Sequence, residues 1–303
     1  MPVVKVALVG GAGGVGSSTA FNLVLMRRRD EIVLVDDRPE MITSHVMDFE
    51  QTLELSPGCD VRGGDPSDVR DADVVVLLSA TPLTVGTSRL EYLAKNALIA
   101  DELAAELATG WSGAIVVVTN PVDPLVTRLQ RRTGLDRRRI LGYTINDSLR
   151  LRTGLAHTLG VQPGGVEAWV LGEHGDGSVP LFDRVSVNGV QVHPTPAQAA
   201  AAEEYLRTWY VRHVALDSGR SSTWTSGLGV ARMVAALDGD GELWPASVVL
   251  DGEYGIEGVA LTVPVTIGRG GAEQIHEWEL GAGDLAALRA AAELVRTAVA
   301  SVS

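Results

Sequence analysis

Short apolar, β-branched runs alternate along the first half of the chain with longer helix-compatible stretches. Residues 3–9 (Val-Val-Lys-Val-Ala-Leu-Val) are one such run, and the next seven positions hold five glycines. A buried strand entering a tight turn is the reading. Residues 17–29 then suit a helix, and residues 31–35 form another short apolar strand that ends at Asp36. This makes a β-α-β unit. Further buried strands are predicted at 73–79, 114–119 and 139–142, with helices at 90–109 and 124–132 between them. Such alternation implies a Rossmann-type, doubly wound α/β domain, a parallel sheet with helices on both faces.

The pattern changes near residue 145. A helix is predicted at 147–159, a strand at 167–171, a long helix with alanine along one side at 196–216, and another helix at 224–237. Strands at 246–250 and 258–267 and an amphipathic final helix at 284–302 complete an α+β unit. Two domains are expected, 1–145 and 146–303, with no Pro-, Gly- or Ser-rich linker between them. The triple-basic runs Arg27-Arg28-Arg29 and Arg137-Arg138-Arg139 read as solvated helix ends.

The 303 residues include 25 basic and 38 acidic side chains, a formal net charge of −13. That sign removes the phosphate-neutralising attraction that nucleic-acid binding needs, so a polyanion is not an expected partner. Hydrophobic residues at 46% and charged residues at 21% suit a self-folding globular chain rather than a disordered one. Apolar stretches such as residues 74–78 fall far short of the roughly 20 residues a membrane span requires. The N-terminal residues run at once into the glycines, leaving no room for a signal peptide, so the cytoplasm is the expected compartment. Cys59 is the one cysteine, which rules out an internal disulfide and any cysteine-based metal cluster.

Gly11-Ala12-Gly13-Gly14-Val15-Gly16 matches G-x-G-x-x-G. In that pattern the first glycine permits the turn, the second lets a pyrophosphate approach the backbone, and the third lets helix pack on strand. Amide groups at the helix N-terminus would then hold the phosphates. Alone the pattern also fits a flexible loop, but here a strand precedes it, a helix follows, and an acid stands 20 residues beyond Gly16 at a strand end. Dinucleotide binding is the expectation for residues 1–145. The carboxylate of Asp36 can accept both ribose hydroxyls of NAD and would repel the extra phosphate of NADP, which favours NAD. Arg38 lies close enough to keep NADP open, and Asp36 could instead be a turn-forming acid.

Of six histidines, His174 stands out in Gly172-Glu173-His174-Gly175-Asp176, just after a predicted buried strand. A histidine in a loop is more often structural than catalytic. His45, His157, His193, His213 and His276 lack even that context and are read as structural.

Taken together, the motifs resemble the lactate/malate dehydrogenase family over nearly the whole chain. Besides the glycine turn and the His174 segment, they are Gly86-Thr87-Ser88-Arg89 with Asn96, Val118-Thr119-Asn120-Pro121-Val122-Asp123, Asn146-Asp147-Ser148-Leu149-Arg150-Leu151-Arg152, and Tyr254-Gly255-Ile256 leading to Val263-Pro264. The resemblance implies reversible hydride transfer between C2 of a 2-hydroxy or 2-oxo acid and C4 of a nicotinamide. It makes His174 the group that takes and returns the hydroxyl proton, a task imidazole suits because it titrates near neutrality. Asp147 would fix the ring and stabilise imidazolium, raising the histidine's pKa. Arg150 would hold the substrate carboxylate with two charge-assisted hydrogen bonds. Arg89 would polarise the carbonyl. Asn120 would orient substrate and nicotinamide, Asn96 would lie by the nicotinamide, and Val118 would line the cofactor site. The Asn120–Pro121 bond matches the family's cis peptide. Asp147 could instead be only a helix N-cap, Arg150 and Arg152 solvent-facing charges, and Arg89 a surface ion-pair member. Residues 80–89 correspond to the family's mobile loop, with Gly86 as a flexible point, and gating of this sort often limits turnover.

The chain departs from the family at Leu83. In relatives the residue six before the loop arginine reads the substrate's C3 substituent, with Arg for malate and Gln for lactate. The loop is one residue shorter than in common relatives, yet residues 80–88 contain no Arg, Lys or Gln in any register. An apolar side chain facing a second carboxylate would leave that charge unpaired, at a cost of several kcal/mol. Either the substrate is a 2-oxo acid with an uncharged side chain touching Leu83, or a second anionic group is read elsewhere, with Arg220 as candidate. Arg220 lies in a segment resembling the family's substrate-facing helix start, which would put Ser222 or Thr223 near the substrate. It could equally be a surface charge.

Two other classes remain in view. A non-catalytic NAD-binding sensor would need only the glycines and Asp36, whereas Arg89, Asn120, Asp147, Arg150 and His174 are all present. A metal-dependent enzyme lacks a ligand cluster with the right spacing. The resemblance also implies a homodimer or homotetramer, with Tyr205, Trp209 and Tyr210 of the long helix supplying either contact area or core.

Overall fold

The computed structural model describes residues 4–26, 30–81, 89–107 and 110–302. The strands β1 (Lys5–Val9), β2 (Glu31–Val35), β3 (Asp60–Gly64), β4 (Val74–Leu77), β5 (Ala114–Val117) and β6 (Ile140–Tyr143) pair in parallel in the order β3-β2-β1-β4-β5-β6. Helices α1 (Gly14–Leu25), α2 (Pro39–Leu55), α3 (Arg89–Glu106) and α4 (Val122–Thr133) lie between successive strands in the chain. All of β4, β5 and β6 is buried, as a parallel sheet covered on both faces requires. The doubly wound α/β fold read from the alternation is what forms.

Helix α2 and strand β3 have no counterpart among the predicted elements, and their composition explains why. Of the residues in α2 only Ile42 and Phe49 are buried. Strand β3 reads Asp-Val-Arg-Gly-Gly and sits at the sheet's edge, so it carries little apolar signal.

The chain continues through α5 (Ile145–Leu159), the short strands β7 (Val166–Glu167), β8 (Val170–Gly172), β9 (Ser178–Pro180), β10 (Ser186–Val187) and β11 (Val190–Gln191), then α6 (Pro196–Val214) and α7 (Thr223–Ala236). It ends with β12 (Leu243–Asp251), β13 (Glu257–Gly268), β14 (Gly271–Ile275) and α8 (Ala282–Ala300). The parallel sheet does not stop at β6. Ala246 pairs with Tyr143 and Ser247 with Gly142, so antiparallel β12 extends it through β13, β8 and β9, with β14 paired to β13, into a sheet of eleven strands among the described residues. Among the described residues, no helix is long and apolar enough to cross a membrane.

Two local expectations need correction. The strand predicted at 167–171 is split: β7 joins β10 and β11, while β8 joins β9 and β13. Helix α5 divides them, because Arg152 Nε donates to the Ala168 carbonyl (3.1 Å) and the Val170 amide donates to Ser148 Oγ (3.0 Å). The run Arg137–Arg139 is not a solvated helix end but a 3-10 turn. Its first guanidinium is largely enclosed, bonded to Glu253 (2.7 Å) and to the Val249 carbonyl (2.8 Å). Arg27, Arg28 and Arg29 lie outside the described residues.

Candidate functional site

The strand order reverses between β1 and β4, and both chains leave the sheet there side by side. Open α/β sheets bind ligands at such a point. Gly10 and Gly11 donate to the Val35 carbonyl (2.8 and 3.1 Å), while Leu78 and Ser79 donate to that of Val9 (2.7 and 2.8 Å). A Cβ on Gly16 would stand 2.4 Å from the Gly10 carbonyl oxygen, and one on Gly11 would stand 3.1 Å from Leu34 Cα. Only glycine lets α1 start this close to the strands. Gly13 caps α1 without a side chain, and no acid occupies its first turn. The helix thus presents backbone N–H groups to an anion without competition from its own side chains. Val15 lies within that first turn, and exposed Gly14 faces Thr223 Oγ1, 3.2 Å from where a Cβ would be.

Asp36 stands at the end of β2 with its side chain only 4% exposed. Its Oδ2 accepts from the Ala12 amide (3.0 Å), and Arg38 donates through Nε to Oδ1 (2.8 Å) and through Nη2 to Oδ2 (3.2 Å). Burial pushes this carboxyl up, but the Arg38 and Ala12 bonds outweigh it and hold the group below its usual range. His45 Nε2 lies 3.3 Å from the Ala12 carbonyl, so the peptide at the centre of the turn is gripped on both sides. A glycine cradle, a helix start without a side-chain cap and an ionised acid at the second strand's end fit a dinucleotide.

Half-buried Val118 directly follows the end of β5, and beyond it come exposed Asn120 and a cis Asn120–Pro121 peptide, as the motif implied. Asn96 is fully buried on α3. Its Oδ1 accepts from the Thr81 amide (2.8 Å) and its Nδ2 donates to the Asn120 carbonyl (2.7 Å), so its contacts here are with the backbone that frames the site.

Three elements converge beyond that peptide. Gly172 ends β8 with φ +89, where a Cβ would meet the Gly177 carbonyl at 2.4 Å, and the tight loop that follows displays His174. Its Nδ1 donates to Oδ2 of Asp147 (2.5 Å), in the first turn of α5. Arg150, one turn further, donates to Oδ1 of the same carboxylate (3.2 Å). Burial would push the imidazole down, but the charge and hydrogen bond of Asp147 prevail and leave it raised. Asp147, which burial pushes up, is held low by His174 and Arg150. A histidine held by a carboxylate, beside a guanidinium with donors to spare, can exchange a proton with a hydroxyl while a neighbouring carboxylate is gripped.

The same loop is also fixed from α4 by Asp123, which belongs to one of the family motifs but has no role assigned from the sequence. The His174 amide donates to Oδ2 of Asp123 (2.7 Å), and Ser247 Oγ donates to Oδ1 (2.6 Å). Trp209, read from the sequence as either contact area or core, was not expected at the site. Rather than joining the core, its ring lies 4.4 Å from the Arg150 guanidinium and stacks on His213 (4.9 Å, 14°). Tyr205 meets His157 edge-on, and Tyr210 is exposed. Arg150 and Trp209 are separated in sequence by the rest of α5, the strands β7–β11 and most of α6, and no motif signals the contact.

Ser222 caps α7 and Thr223 begins it, both half-buried, with Thr223 against Gly14. The Arg220 guanidinium lies 4.8 Å from the centre of the exposed Trp224 ring. Leu83, Gly86 and the rest of 82–88 lie outside the described residues. So does the side chain of Arg89, whose backbone opens α3.

A dinucleotide cradle at the switch point of a doubly wound sheet, together with a histidine–carboxylate pair in the following unit, fits the class of dinucleotide-dependent enzymes. Residues 4–142 match the profile of the lactate/malate dehydrogenase NAD-binding domain, and residues 144–302 match that of the lactate/malate dehydrogenase alpha/beta C-terminal domain. The chain is 38% identical to a malate dehydrogenase of Halobacterium salinarum, covering 95% of this chain and 96% of that one. It is 33% identical to an L-lactate dehydrogenase of Treponema denticola, over 97% and 96%. Among solved structures, the malate dehydrogenase from Aeropyrum pernix superposes with a TM-score of 0.91 at 27% identity, covering 98% of each chain. The chain belongs to the lactate/malate dehydrogenase family, and is an NAD-using hydroxy-acid oxidoreductase of that type.

Proposed function

We propose that this protein reversibly interconverts a 2-hydroxy acid and its 2-oxo acid with NAD, and that the substrate is a monocarboxylate with an uncharged side chain. The observation that carries the catalytic reading is the His174–Asp147–Arg150 arrangement. NAD, when bound, takes or gives a hydride at C4 of its nicotinamide. His174 removes the substrate hydroxyl proton through its free Nε2 as the hydride leaves C2, and returns it in the reverse direction. Asp147 holds Nδ1 and stabilises the imidazolium. Arg150 grips the carboxylate with the donors that Asp147 leaves open. Asn120 orients substrate and nicotinamide, with Asn96 bracing its carbonyl, and Arg89 polarises the reacting oxygen. Ser222 and Thr223 line the substrate side. Asp36 favours NAD over NADP because its carboxylate, kept ionised, would repel a 2′-phosphate.

The substrate reading rests on Leu83 and on the absence of Arg, Lys or Gln from residues 80–88. Trp209 beside Arg150 supports it by adding an apolar face next to the carboxylate grip. Residues 1–145 hold the dinucleotide and 146–303 present the substrate, in a cytoplasmic homo-oligomer. The test is turnover of pyruvate, longer 2-oxo acids and oxaloacetate with NADH and with NADPH. Pyruvate or a longer monocarboxylate is expected to win. Strong preference for oxaloacetate would sink the monocarboxylate reading, and its loss in Arg220→Ala would transfer the second-anion role to Arg220. NADH binding without turnover of any oxo acid would make the protein a sensor.

A further inference from the structure

Asp123 is 1% exposed, yet both carboxyl oxygens are engaged across element boundaries. Oδ2 accepts from the backbone amide of His174 (2.7 Å), and Oδ1 accepts from Ser247 Oγ (2.6 Å) on β12. Ser247 pairs with Gly142 at the seam where the antiparallel strands join the parallel sheet. Helix α4, which carries Asp123, is itself tied to β13, because the Ala260 amide donates to Thr127 Oγ1 (2.9 Å). The histidine loop therefore hangs from two carboxylates on two helices. Asp147 of α5 takes the ring, and Asp123 of α4 takes the main chain.

We propose that Asp123 is a positioning residue for the proton-exchanging histidine, fixing the His174 backbone to the sheet seam and placing a second acidic group behind the imidazole. This rests on the reading of His174 given above. A side chain rotating about a loosely held loop would vary its distance to the substrate, and misplacement of about 1 Å costs on the order of a hundredfold in rate. Neither protonation state of Asp123 breaks the anchor. As a carboxylate it accepts twice; as an acid it donates to Ser247 Oγ and still accepts from the His174 amide. Burial pushes this carboxyl up to about 7, so its charge varies over the pH range in which the histidine works. The charged groups acting on Asp123 are Glu173 and His174 of the loop, and those acting on His174 are Asp147, Asp123 and Arg150. Its charge, like that of Asp147, favours imidazolium, and Arg150 opposes it.

The experiment titrates ¹⁵N-histidine by NMR in cofactor-free protein and measures NADH turnover with pyruvate and with oxaloacetate. Asp123→Asn keeps an acceptor for the His174 amide and a partner for Ser247 but removes the charge. The His174 midpoint should fall by about half a pH unit or more, with kcat reduced only a few-fold. Asp123→Ala also removes the anchor, and kcat should fall a further ten- to a hundredfold with KM nearly unchanged. Should Asp123→Ala not fold, Ser247→Ala reads the same link: losing its donor makes Asp123 less acidic, and the His174 midpoint falls. Unchanged midpoints in Asp123→Asn and Ser247→Ala, or unchanged kcat in a folded Asp123→Ala, would overturn the proposal. His174→Asn separates the two readings. If it turns over at the wild-type rate, His174 is not the proton-exchanging group, whatever the Asp123 variants do to its midpoint.

Discussion

The guanidinium of Arg150 is held between the carboxylate of Asp147, at 3.2 Å, and the indole of Trp209, whose centre is 4.4 Å away. One contact fixes the fork by charge and the other by its face. A cation over an indole in a partly desolvated site is worth about 1–2 kcal/mol. Trp209→Leu should therefore raise KM for the oxo acid about five- to thirtyfold and change kcat less, while Trp209→Phe keeps much of the wild-type value. Steady-state kinetics on both variants decide it, and a Leu variant with wild-type KM would mean that the indole does not hold Arg150.

The His174–Asp147 pair sets a pH dependence with a definite sign. Oxo-acid reduction needs imidazolium, so its rate should hold at low pH and fall as pH rises through the raised His174 value. Oxidation should show the opposite limb. The linked stability follows the same pKa directions. The His174 contribution is full below the ordinary 6.5 and is lost as pH rises through the raised value. The Asp147 contribution is present above the ordinary 3.8 and is lost as pH falls through the depressed value. Denaturant melts across pH should thus show this pair's contribution greatest between those two ordinary values. Asp147→Asn should lower kcat by about 10²–10⁴-fold and move the reduction limb to lower pH.

Arg38 is pinned by Asp36 through two of its nitrogens. Asp36→Ser removes the repulsion toward a 2′-phosphate and frees that guanidinium to meet it. A charge-assisted hydrogen bond is worth about 1.5–3 kcal/mol, so KM for NADPH should fall and that for NADH rise, each on the order of ten- to a hundredfold. Parallel titrations with the two cofactors measure the exchange. An unchanged NADPH KM would show that Arg38 cannot reach.

Helix α7 touches α1 at a point where no side chain fits. A Cβ on Gly227 would lie 2.1 Å from Ser18 Oγ and 2.5 Å from Ser18 Cβ. Gly227→Ala forces the helices apart and should cost about 1–3 kcal/mol, read from urea melts. Because α7 brings Thr223 to Gly14, the same variant should weaken NADH binding, which fluorescence titration reports. A variant as stable as wild type would show that Ser18 yields without cost.

Much of the fold is legible in the chain because its elements bury continuous apolar runs. Strands β1, β4 and β5 need no partner information to be recognised, and the glycine turn declares itself by a backbone requirement that only one residue type meets. Helix α2 and strand β3 escape because a mostly exposed helix and a polar edge strand have no such run. The split of β7 from β8 escapes because its cause is a pair of side chains, Arg152 and Ser148, that arrive from another helix.

The sequence by itself determined the alternating sheet, the cradle for a dinucleotide and the residue types of the candidate site, since these depend on local spacing and on chemistry that each residue carries alone. Only the tertiary structure decided which charges meet. It put Asp123 beneath His174, Trp209 against Arg150 and Arg38 on Asp36, and turned Arg137 from a supposed surface charge into an enclosed ion pair with Glu253. Except for Asp36 and Arg38, these pairs join residues far apart in the chain. Their strength depends on burial and distance, which no spacing along a sequence records.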